Sequence, residues 1–97
     1  MTDQNLQHSI LAKHNAMQLS PQAFSHRWDA GTEDIAHICC VSKSTVYHWL
    51  GGQASRRIAG CPHQRILAMA DFLLSNADAI APLLNQWQPP KTSNLSD

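Results

Sequence analysis

The chain has 97 residues, 43% of them apolar and 14% charged, with a formal net charge of zero. That length holds one hydrophobic core, and the composition excludes a disordered chain and a membrane-embedded one. No run approaches the roughly 18 apolar residues of a bilayer span, and the start MTDQNLQHSI has neither the basic nor the apolar part of a signal peptide, so a cytoplasmic protein is expected.

Three cysteines cannot all pair within one chain, which fits a reducing compartment. So short a chain leaves little room for a catalytic cleft and its supporting shell. A binding module is therefore expected rather than an enzyme, with no cofactor and no small-molecule substrate.

The predicted elements are helical throughout, because strict two-residue alternation is absent and glycine is rare. Residues 1–8 are polar and expected to be a flexible N-terminus; a weak helix covers about 8–18. Ser20-Pro21 predicts an N-cap with proline at the first helical position, for a helix running to about Asp29. Gly31 is expected to supply a left-handed stop. Thr32 is expected to cap the next helix, with Glu33 and Asp34 in its first turn, where the helix dipole favours acids. Ile35, Ala36, Ile38 and Cys39 face inward there, while Glu33, His37 and Cys40 face water.

After a stop near Cys40, Ser42 predicts the cap of a helix from Lys43 to Leu50, ended by Gly51-Gly52. Val46, Trp49 and Leu50 form its inner stripe; Ser44, Tyr47 and His48 lie opposite. Residues 53–60 are a polar, basic connector. Pro62 opens a helix to about Ser75, with Ile66, Met69, Ala70 and Leu73 as core stripe, widened by Leu67 and Leu74. Phe72 falls on its far side, so this helix is apolar nearly all round, as a central or partner-contacting helix is. Asn76 or Asp78 caps a last helix to Trp87, with Pro82 in its first turn if Asp78 is the cap. Phe24, Trp28 and Trp49 are expected in the core, with Trp87 closing the last helix onto it. The fold class is thus an all-α bundle of five to six helices: one domain over 9–87, then a flexible tail over 88–97.

Residues 32–50, TEDIAHICCVSKSTVYHWL, resemble the helix-turn-helix of bacterial transcription regulators. Ala36 is small where the two helices cross, Val41 is the apolar residue leaving the turn, and Val46 and Trp49 anchor the second helix. Ser42-x-Ser44-Thr45-Val46 resembles the start of many recognition helices. The helix over 63–74 is more loosely similar to the one that completes small repressors of the Cro type. The pattern usually has glycine at the turn, where Cys40 stands; a left-handed Cys40 would cost on the order of 1 kcal/mol.

The resemblance implies sequence-specific binding of double-stranded DNA, with the helix over 43–49 in the major groove and its N-terminal residues at base edges. Ser42, Lys43, Ser44 and Thr45 lie at that end, and Tyr47 and His48 one turn on. Thr32 stands at a helix N-terminus able to hold a phosphate. Arg56 and Arg57 follow the recognition helix as candidates for phosphate grip, assisted by Gln53 and Ser55. The charge distribution supports this: residues 35–67 hold Lys43, Arg56, Arg57 and Arg65 and no acid, whereas both flanking segments are net acidic. The blander reading leaves Ser42 and Thr32 as caps, Tyr47 as packing, and the arginines as a solvated turn.

Cys39, Cys40, Cys61, His63 and His37 raise a metal or thiol site, but no C-x-x-C spacing exists and Cys39 falls on the buried stripe. No metal is expected, although an exposed Cys40 would be open to oxidation. One such unit touches few base pairs, so a homodimer on two half-sites is expected, formed through the Phe72 side, the segment 80–87 or the N-terminal helix. A protein-interaction adaptor, and the DNA-reading part of a recombination or replication protein, are the alternatives.

Overall fold

The computed structural model describes residues 4–51 and 57–90. They form six α-helices: α1 (Gln4–Ala16), α2 (Pro21–Trp28), α3 (Thr32–Cys39), α4 (Lys43–Leu50), α5 (Cys61–Ser75) and α6 (Ala77–Leu84). No strand occurs among the described residues, and the fold is all-α.

The core belongs to α2–α5 and the short approach to α5. Phe24, Ile35, Val46 and Leu67 are fully buried, one from each of four helices. Ala30, Ala36, Cys39, Trp49 and Ala59 fill between them. Ala36 is 4% exposed, so its small side chain lies inside the molecule.

Local sequence explains where α2 and α3 begin and end. The Ser20 hydroxyl accepts the Ala23 N–H at 3.1 Å, and Pro21 stands at the first helical position. α2 stops at Asp29, which is left-handed at φ 51°, and the Asp29 and Ala30 N–H groups both reach the Ser25 carbonyl. The left-handed stop is thus Asp29 and not Gly31, whose φ is −91°. Gly31 occupies the cap position of α3 and Thr32 is its first helical residue, so Thr32 is not the cap. Asp34 completes that end by accepting the Gly31 N–H at 3.3 Å. α3 ends on Cys40, left-handed at φ 59°, with the Cys40 and Val41 N–H groups on the Ala36 carbonyl.

The periphery departs from the expectations. α1 begins at Gln4, so residues 4–8 are helical, and it ends at Ala16. No residue of α1 is buried; it is tied down at its C-terminal end, where Arg65 Nη2 donates to the Asn15 carbonyl at 2.6 Å and Leu19 N–H to the Gln64 carbonyl at 3.1 Å. Trp87 does not close onto the core but is 68% exposed. α6 ends at Leu84, after which the chain tightens into i→i+3 bonds from Gln86 to Leu83 and from Trp87 to Leu84. Asn76, one of the two expected caps, holds the cap position of α6, which leaves Pro82 in the helix interior.

α5 is turned differently from the predicted stripe. Leu67 and Ala68 face the core, whereas Ile66 and Met69 are each 39% exposed. A helix apolar on every side carries no rotational signal of its own, so its neighbours select the inner face. Asp71 contributes to that choice: it accepts the Trp28 indole N–H at 3.0 Å and pairs with Arg27 at 2.7 Å, which fixes α5 against α2.

Candidate nucleic-acid interface

α4 is anchored on one side and open on the other. Val46 and Trp49 are buried at 0% and 4% exposure. At 100° per residue, Ser44, Tyr47 and His48 fall opposite them, and Lys43 falls on the flank between the two sides. Lys43, Ser44 and Tyr47 are exposed, Tyr47 at 62%. His48, on the same side, is half-buried and meets Tyr47 edge-on at 5.8 Å between ring centres.

The N-terminus of α4 is made by Ser42. Its hydroxyl accepts the Thr45 N–H at 3.1 Å and shares a 3.0 Å bond with the Thr45 hydroxyl. Both residues therefore serve the cap, and half-buried Thr45 lies at the margin of the buried side. That cap holds the first turn, with Lys43 and Ser44, in fixed register.

The other end of α4 is held by contacts absent from the sequence reading. The Gln22 side-chain amide donates to the Trp49 carbonyl. Arg57 N–H donates to the His48 carbonyl at 2.9 Å. His63 packs against Trp49 at 5.1 Å between ring centres. Two terminal carbonyls of α4 are thus satisfied by α2 and by Arg57 of the connector. Nothing in the local pattern around Gln22 or His63 marks these roles, because both act across the fold.

The predicted site residues are only partly brought together. Ser44, Tyr47 and His48 share one side with exposed Lys43 flanking it, and the Arg57 backbone is joined to the last turn of the same helix, with its side chain exposed. Gln53, Ser55 and Arg56 lie outside the described residues. Thr32 is the first residue of α3, beside exposed Glu33 and Asp34. An anion at that helix end meets two carboxylates, one already on the Gly31 N–H, which works against a phosphate there.

The cysteines remain separate in character. All three are free; Cys39 is buried, and burial pushes its thiol above the ordinary value, while Cys40 and Cys61 are exposed. Among the described residues, no three His, Cys, Asp or Glu side chains gather so as to hold a metal ion. No single described helix is long and apolar enough to cross a membrane. No family model matches the chain, and no curated protein or solved structure matches it.

Proposed function

We propose that the protein binds double-stranded DNA sequence-specifically through α4 and acts as a transcription regulator at the nucleoid. The carrying observation is the two-sidedness of α4: a capped first turn with Lys43, Ser44 and Tyr47 exposed, above Val46 and Trp49 sealed in the core. A helix of this width enters the major groove, and the residues of its first two turns reach base edges. In this reading Ser44 and Tyr47 contact bases, Lys43 a guanine or a phosphate, and Arg57 the backbone. Two copies bind two half-sites, because one eight-residue helix reads too few base pairs for specificity.

Selection of the full chain against a random duplex pool tests the reading. Enrichment of a two-fold symmetric motif supports it; no enrichment at low salt ends it. The zero net charge and the exposed apolar side chains of α1 and α6 favour a protein adaptor as second reading, and absence of any duplex binding selects that one.

A further inference from the structure

α1 and α6 are helices without a buried residue. Leu6 and Ile10 of α1 are 54% and 57% exposed, and Leu83 and Leu84 of α6 are 61% and 51% exposed. Helices shorter than about 12–15 residues are marginal in water and take their stability from a packed apolar face. Both faces therefore call for a cover.

The uncovered surface around α6 has a definite chemistry. Ile38 of α3, Leu73 and Leu74 of α5, and Ile80 and Leu84 of α6 line an apolar groove of about 370 Å³. Through Ile38 and Leu74 it continues into a second cleft, of about 650 Å³, that reaches Trp28 and the α3 residues Glu33, Asp34 and His37. The combined groove is apolar along α5–α6 and carries two carboxylates at its α3 end.

α1 has the matching order. Leu6, Ile10 and Lys13 stand at i, i+4 and i+7, one stripe of the helix, with two apolar residues followed by a cation about 10 Å from the first. No acid lies between Gln4 and Ala16, and Lys13 and His14 are in the last turn. The bonds from Arg65 to Asn15 and from Leu19 to Gln64 hold the end of α1 on its own α5, with Leu6 and Ile10 still exposed. We infer that α1 of one copy lies in the α3–α5–α6 groove of a second copy, with Leu6 and Ile10 on the apolar floor and Lys13 against Glu33. The exchange is reciprocal, so it closes as a two-fold dimer with two identical contacts.

This names the surface of the homodimer proposed above, and its test is made without DNA. Sedimentation of the full chain at micromolar concentration is expected to show a dimer. Ile10→Glu, Lys13→Glu and Glu33→Lys should each weaken it about tenfold or more, since every change acts at both contacts. Lys13→Glu with Glu33→Lys should recover most of the loss, a rescue that a merely unfolded variant does not give. All the altered residues are exposed, so circular dichroism should stay helical. A wild-type monomer overturns the inference, as does a double variant no better than the single ones. A dimer broken only by Leu83→Glu also overturns it, in favour of α6 pairing with α6. A duplex motif bound by a monomeric protein removes the exchange and leaves the DNA reading standing.

Discussion

Cys40 holds φ 59° and ψ 48° at the end of α3, a backbone region that costs a side-chain-bearing residue roughly 1–2 kcal/mol. Its side chain is exposed, so replacement changes the backbone term with little effect on packing. Cys40→Gly should therefore stabilise the fold by up to about 1 kcal/mol, and Cys40→Val should destabilise it by about as much, because β-branching is least tolerated there. Urea unfolding of the two variants checks the sign of each. The cysteines also differ in reactivity. Cys39 is buried and its thiol is pushed up, so it stays protonated and out of reach; Cys40 and Cys61 are open. Alkylation of the native protein followed by mass measurement should show two modified cysteines, rising to three on unfolding. The same burial sets a pH trend. A thiol whose folded pKa is raised contributes stability below its unfolded value and loses it as pH climbs past that value toward the folded one.

At the scale of elements, α4 is a helix whose start has a dual use. Ser42 caps it, and the same residue is a candidate DNA contact. The two roles separate by substitution. Ser42→Ala removes the cap and should cost about 1 kcal/mol of stability. Ser42→Asp keeps a capping oxygen and should leave stability nearly unchanged, while its charge repels phosphate and lowers duplex affinity. Equal loss of stability in both variants would show that the Ser42 hydroxyl is not replaceable as a cap. α5 is the element whose inner face differs from the stripe its pattern predicted. Leu67 is completely buried, so Leu67→Ala should cost about 2–4 kcal/mol in denaturant unfolding. Ile66→Ala, at a half-exposed position, should cost clearly less. The reverse order would place α5 on the stripe first expected.

For the whole molecule, the proposed binding is set by local rather than net charge. Zero net charge leaves no long-range attraction to DNA, so affinity has to come from a few close contacts around α4. With about four phosphate contacts per copy, the log–log dependence of duplex affinity on salt should have a slope near −4 for each copy bound. Lys43→Ala and Arg57→Ala should each flatten it by about one unit per copy if both hold phosphates. A slope unchanged in both variants would move the phosphate grip elsewhere on the protein.

What the sequence determined by itself was local. Ser20-Pro21 and Ser42 act through bonds spanning three residues, so the starts of α2 and α4 were legible, as were the inner stripe of α4 and the turn at Cys40. The tertiary structure decided whatever depends on a distant partner: the face α5 turns inward, the exposure of Trp87, and the hold of Gln22 and His63 on the end of α4. The reason is range. Capping and turn chemistry are settled within one helical turn, whereas burial is settled by whichever apolar surface the rest of the chain brings alongside.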